Sequence, residues 1–283
     1  SQAAPRLLQE QQEDKEKKAD APQEEEPTTP EGKLEAWTKA YAEQNAEFQK
    51  AARAAKTPEE RREVSKLMPK PQEFAEKFKK LADENPKSEV GLKALIWIAQ
   101  NVRGGAASTE AIAQVLADYP EAKEIESVVP MLAMGNPSPD TEATLQQIIE
   151  KSPHEAVKAK ATYALASALK RIVDLNGRLA SDEKMAETFA KQMGEKTMEY
   201  VTKVGTDTTR IEELYQKIVD EYPDVEMGRR TLGKIASGAL FEMRNLAIGK
   251  IAPEIVGKDF DEVEFKLSDY RGKVVVIDFW GDW

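Results

Sequence analysis

Four prolines, Pro86, Pro120, Pro153 and Pro223, share one pattern of apolar positions. Eight residues before each stands a large side chain: Phe78, Ile112, Leu145 or Tyr215. Five before stands Leu81, Val115, Ile148 or Ile218, and four before stands Ala82, Leu116, Ile149 or Val219. Offsets of three and four lie on one face of a helix, so the pattern predicts a helix ending just short of each proline. Helical spacing resumes afterwards, in Leu92, Leu95, Ile96 and Trp97, in Ala156, Ala159, Tyr163 and Leu165, and in Leu232, Ile235 and Leu240. The prolines fall 34, 33 and 70 residues apart, which gives a helix–turn–helix unit with a period near 34.

Helix-start signals agree. Thr57-Pro58-Glu59-Glu60 reads as a capping box with proline at the first helical position. Thr29-Pro30 opens a helix whose stripe is Leu34, Trp37, Tyr41 and Phe48. Thr209 with Glu212 reads as a second capping box. Ser181 or Asp182 starts a helix whose stripe of Met185, Phe189, Met193 and Met198 is expected to pack in the core. Asn136-Pro137-Ser138-Pro139 reads as a loop. This recurrent unit resembles the tetratricopeptide repeat, in which a proline closes a helical hairpin. The likeness covers residues 72–247 and lacks that family's early Trp and Gly-Tyr signature. It implies an extended concave surface that binds a protein partner.

The two ends follow other patterns. From Gln9 to Glu35 the chain is dominated by Gln, Glu, Asp and Lys, punctuated by Pro22, Pro27 and Pro30. Such a stretch buries too little surface to offset its conformational entropy, so 1–29 is expected to be a disordered acidic tether. At the other end, Lys273-Val-Val-Val-Ile-Asp-Phe-Trp280 is a β-branched and aromatic run opened by the turn signal Arg271-Gly272, and reads as a buried strand. A lone apolar strand followed only by Gly281, Asp282 and Trp283 implies a domain interrupted there. The organisation read from the sequence is thus 1–29 tether, 30–247 helical adaptor and 248–283 the start of a β-containing domain. The fold class is mainly α.

Composition removes several function classes. Lys and Arg number 41 against 51 Asp and Glu, a net charge of -10, and no basic stripe is present to displace counterions from phosphate, so no nucleic acid is expected as partner. No apolar run reaches the roughly 20 residues that span a bilayer, so no membrane span is expected. There is no cysteine and a single histidine, His154. Thiolate ligands, disulfides and a cysteine nucleophile are therefore absent from these residues, and no metal or cofactor is expected. His154, directly after Pro153, reads as a solvated turn residue, not a catalyst. Neither Gly104-Gly105 nor Gly233 to Gly238 fits a phosphate-binding loop, and no catalytic site reads out of 1–247.

From Ala252 the grammar changes. Ala252-Pro253 leads to an alternating segment Val263-Glu264-Phe265-Lys266-Leu267, then a turn Ser268-Asp269-Tyr270-Arg271-Gly272-Lys273 and the apolar run ending Phe279-Trp280-Gly281-Asp282-Trp283. In order, spacing and residue type this resembles the opening of the thioredoxin-like domains of the TlpA/ResA and AhpC/TSA superfamily, in which Cys-x-x-Cys follows the second Trp. The resemblance covers about 32 residues. It departs at Asp261-Glu262, where relatives place a glycine. It implies a truncated thioredoxin-like α/β domain whose parent protein performs thiol–disulfide exchange with protein disulfide or dithiol substrates. By the same resemblance Asp278 aligns with a buried proton-relay acid, while Trp280 and Trp283 flank the active-site loop. The chain as it stands lacks the cysteines and is expected to be redox-inactive. The family's location implies an extracytoplasmic protein, and the chain opens at Ser1 with no charged-then-apolar leader, as a mature exported protein would. Two alternatives are a peroxiredoxin-type peroxidase, which shares Leu-Ser-Asp-Tyr-Arg-Gly-Lys but not the tryptophans, and a non-catalytic helical scaffold.

Overall fold

The computed structural model describes residues 27–102, 106–135, 138–278 and 280. Most of the expected tether, Gly104-Gly105, Asn136-Pro137, Phe279 and Trp283 therefore lie outside the described residues. The fold is mainly α, as the periodicity predicts, with twelve α-helices and two two-stranded antiparallel sheets among the described residues. The chain divides into two compact units, Ser1–Asp207 and Thr208–Trp283. Among the described residues no helix is long and apolar enough to cross a membrane.

The four proline-marked helices are Pro71–Glu84, Ala106–Asp118, Pro139–Lys151 and Thr209–Glu221, and each ends two residues before its proline. A ring without an N–H cannot continue the helix, and the residue before it is pushed out of the helical region. The positions eight and five before the proline are buried in all four helices. Four before, only Ala82 is buried, while Leu116, Ile149 and Val219 are half-buried. The stripe is therefore narrower than its apolar pattern.

In the first unit, helix α1 (Pro30–Ala54) is capped by Thr29, whose hydroxyl accepts from Gly32 N at 3.1 Å. Helix α2 (Pro58–Ser65) carries the predicted capping box: Glu60 N donates to Thr57, and Thr57 N donates back to the Glu60 carboxylate. Helix α3 (Pro71–Glu84) packs on α4 (Glu89–Asn101), which also receives α5 (Ala106–Asp118). Sandwiched in this way, α4 is buried almost all round, from Val90 to Ala99. Trp37 and Tyr41 of α1 close the end of this core against Phe74, Phe78 and Trp97. The rings of Phe78 and Trp97 stack at 4.2 Å and Tyr41 meets Trp97 edge-on at 4.9 Å. Such ring pairs add about 0.5–1.5 kcal/mol each beyond their burial. After a short helix α6 (Val129–Met134), α7 (Pro139–Lys151) packs on the long α8 (Glu155–Ser181), whose stripe Val157, Ala161, Leu165, Leu169 and Ile172 is buried.

His154 stands in the turn after Pro153, half-buried, with its Nε2 2.9 Å from Glu121 O. Two expectations are corrected here. The methionine stripe does not form one core helix. Asp182 caps α9 (Glu183–Met193) by accepting from Met185 N at 2.9 Å, but Gly194 at φ +78° breaks the chain before α10 (Glu195–Val204). No residue of α9 is buried, and Met198 belongs to the next helix. The spacing from Met193 to Met198 is five, which already rotates the second helix off the stripe.

The second correction lies in the second unit. Helix α11 (Thr209–Glu221) has Thr208 as its cap residue, and no side chain caps it. Glu212 takes a long bond from the Thr208 hydroxyl at 3.5 Å and pairs more closely with Arg244 at 3.1 Å. A two-residue hairpin, β1 (Glu226–Met227) with β2 (Arg230–Thr231), leads into α12 (Leu232–Phe241). There Gly233 N donates to Pro223 O at 3.1 Å, and a π-helical turn follows over Glu242–Leu246. The sequence pattern signals neither the small hairpin nor the π turn.

Candidate functional site

The segment from Ala252 folds as a hairpin of β3 (Val256–Lys258) and β4 (Glu264–Lys266), with Val256 opposite Lys266, Gly257 opposite Phe265 and Lys258 opposite Glu264. Gly257 lets the Phe265 ring lie across the strand, since a Cβ there would come within 3.2 Å of it. The connection is organised by Asp259, whose carboxylate accepts from Asp261 N and Val263 N, both at 2.9 Å. Glu262 sits in the left-handed region at φ +62°. This is within the Asp261-Glu262 pair where the resemblance expects glycine, the residue that adopts such a φ at no steric cost.

The Leu-Ser-Asp-Tyr-Arg-Gly-Lys motif becomes a single 3-10 turn over Leu267–Tyr270. Lys266 N donates to the Asp269 carboxylate at 2.9 Å, and Gly272 at φ +82° completes the reversal. The two halves of the motif meet through Glu254. Its carboxylate accepts from Ser268 N at 2.9 Å, and Leu267 N donates to Ile255 O at 2.9 Å beside it. The Ser268 hydroxyl first, then backbone N–H groups, hold the Glu254 carboxyl below its ordinary pKa, because each stabilises the charged form.

The expected buried strand is not formed. Val274 to Asp278 pair with no strand, and the exposures of Val274, Val275, Val276 and Ile277 alternate at 98%, 43%, 91% and 46%. A central strand takes its burial from neighbouring strands and covering helices, and β3 and β4 pair only with each other among the described residues. Asp278 is exposed, Trp280 is 79% exposed, and Trp283 lies outside the described residues. Among the described residues, no group of three or more metal-binding side chains is placed to hold a metal ion.

No protein-family profile matches the chain, and no solved structure matches it. A 42-residue stretch is 45% identical to the thiol-disulfide oxidoreductase ResA of Geobacillus thermodenitrificans (strain NG80-2) and 48% identical to that of Geobacillus kaustophilus (strain HTA426). In both cases the stretch is 15% of this chain and 24% of the relative, so the chain spans about a quarter of the length of the curated relatives it matches. A short part of this mainly helical, cysteine-free chain is thus similar to the thiol-disulfide oxidoreductase ResA.

Proposed function

We propose that the protein is a thioredoxin-like thiol-disulfide oxidoreductase of the extracytoplasmic space. In this reading 1–29 is a tether, 30–247 is a tetratricopeptide-like adaptor for a protein partner, and 248–283 opens the redox domain, whose Cys-x-x-Cys follows Trp283. One observation carries the reading: the ordered run from Ala252-Pro253 through Leu267–Lys273 to Trp280 and Trp283 resembles that of the family, and the two curated relatives similar over 42 residues are named as thiol-disulfide oxidoreductases. The chemistry is thiolate attack on a substrate disulfide, forming one S–S bond and breaking another. The second thiolate then releases the substrate as a dithiol, two electrons having passed to it. Asp278 would take the proton of the resolving thiol once neighbouring strands bury it, and burial would raise its pKa toward that task. Residues 1–283 hold no thiol and have no part in the electron transfer on their own.

The test is mass spectrometry of the natural protein across Trp283, with thiol alkylation before and after reduction. A Cys-x-x-Cys directly after Trp283 that alkylates only on reduction supports the reading. Continuation without cysteine, or a natural terminus at Trp283, overturns it. Those outcomes favour the second reading, a non-catalytic helical scaffold, which draws on the complete lack of cysteine in 283 residues.

A further inference from the structure

Helices α3 and α5 both pack on α4, and an open groove of about 610 Å³ runs between them. Small side chains create it, with Ala75 on the α3 wall, Ala107 on the α5 wall and Ile98 of α4 beneath. Its rim is not electrically balanced. Lys79 and Lys80 are each engaged by an acid one turn further along α3, Asp83 at 2.6 Å and Glu84 at 3.8 Å. Glu76 on one wall and Glu110 on the other join no ion pair among the described residues. The groove is a trough open to solvent, not an enclosed cavity, and its α3 wall from Gln72 to Glu84 is about 18 Å long at 1.5 Å per residue. That length takes about five residues of extended chain at ~3.3 Å each.

We propose that this groove docks an extended segment of a partner protein in which two lysine or arginine residues, three positions apart and so pointing to opposite walls, are flanked and separated by aliphatic residues. The aliphatic side chains cover the exposed Ala107 above the buried Ala75 and Ile98, and the cations meet Glu76 and Glu110. The two carboxylates repel phosphate and acidic peptides, which gives the groove its selectivity. The inference rests on the reading of the helical part as a partner-binding adaptor and names the partner's chemistry.

The probe is a fluorescently labelled, N-acetylated and C-amidated peptide Ala-Lys-Ala-Leu-Lys-Ala, compared by anisotropy with a copy bearing glutamate at both lysine positions, on the full 283-residue chain. The basic peptide is expected to bind saturably and more weakly as salt rises, and the acidic one not to bind. The double variant Glu76→Lys, Glu110→Lys is expected to lose about tenfold in affinity for the basic peptide, two exposed ion pairs having turned repulsive. Ala107→Trp, which fills the trough at an exposed position, is expected to abolish binding with an unchanged circular dichroism spectrum. Equal binding of both peptides, binding of neither, or unchanged affinity in the charge-reversed variant overturns the proposal. Since the measurement needs no thiol, its failure leaves the oxidoreductase reading standing, and a missing cysteine pair leaves the groove result intact.

Discussion

The imidazole Nε2 of His154 lies 2.9 Å from the carbonyl oxygen of Glu121, and each of these residues directly follows a turn proline. They are 33 positions apart, one period of the proline pattern. The relation is not isolated. Lys160 pairs with Glu126 at 2.5 Å, 34 positions back, with both side chains largely shielded. One unit earlier, the hydroxyl of Tyr119, which precedes Pro120, lies against Gly91, five residues after Pro86. The period of the sequence is therefore also a period of contacts, and successive turns are joined side by side.

Removing one such link has a defined cost. His154→Ala deletes a side-chain hydrogen bond whose acceptor, Glu121 O, regains water, so unfolding in urea is expected to register a loss of about 0.5–1.5 kcal/mol. The loss belongs to the first unit alone. A midpoint identical to that of the unchanged protein would mean that the neighbouring turns hold without the link.

Glycine at two helix starts is set by close approach. A Cβ at Gly91 would run into Asn85 O and the Tyr119 hydroxyl, and one at Gly233 would come within 2.6 Å of Pro223 O and 2.7 Å of Pro223 Cα. Alanine is the better helix former by about 1 kcal/mol. Backbone carbonyls cannot swing aside as a flexible side chain can, and overpacking of this kind costs about 1–3 kcal/mol. Gly91→Ala and Gly233→Ala are therefore expected to destabilise, each in its own unit, by thermal unfolding. A rise in melting temperature for either would contradict the packing described.

What could be read from the sequence was local. Helix ends at the four prolines, the Thr29 and Thr57 caps and the turn at Ser268–Lys273 all depend on residues within a few positions of one another. The errors were about distant partners. Glu212 was assigned to a capping box with Thr209, yet its closest partner is Arg244, 32 residues away, at 3.1 Å, beside a longer bond from Thr208. Val274 to Ile277 carry the composition of a buried strand, but burial is supplied by strands and helices elsewhere, and Asp278 and Trp280 follow that run into solvent. The break at Gly194 was legible in principle, since Met193 and Met198 are five apart and a glycine stands between them.

The hairpin holds a correctable strain. Glu262 at φ +62° occupies a region that costs a residue with a Cβ about 1–2 kcal/mol. Its ion pair with Lys258 at 3.0 Å is highly exposed on both sides, and such pairs contribute about 0–1 kcal/mol. The backbone effect outweighs the pair, so Glu262→Gly is expected to tighten the hairpin. Amide hydrogen exchange at Asp259 and Leu267, whose N–H groups donate to Val263 O and Ile255 O across the hairpin, should slow, and faster exchange would show that the ion pair matters more than the backbone.

The clasp between Glu254 and Ser268 should respond to acid in a specific window. Its folded-state pKa is depressed, first by the Ser268 hydroxyl and then by the Ser268 amide, so the charged form is favoured by folding. Stabilisation by the clasp is therefore complete above the ordinary glutamate range and is lost as pH falls through the depressed folded value. Followed by carboxyl carbon NMR, Glu254 is expected to titrate below the exposed glutamates whose carboxylates accept no such bonds, with the Ser268 amide shift moving in step. In Ser268→Ala the strongest donor is gone, and the Glu254 midpoint should rise toward the ordinary value. In Glu254→Gln the acceptor remains but cannot titrate, so the Ser268 amide should stay flat across the same range. If Glu254 of the unchanged protein titrates with the other glutamates, the two halves of the motif are not joined in solution, and the hairpin and the turn that follows it fold independently.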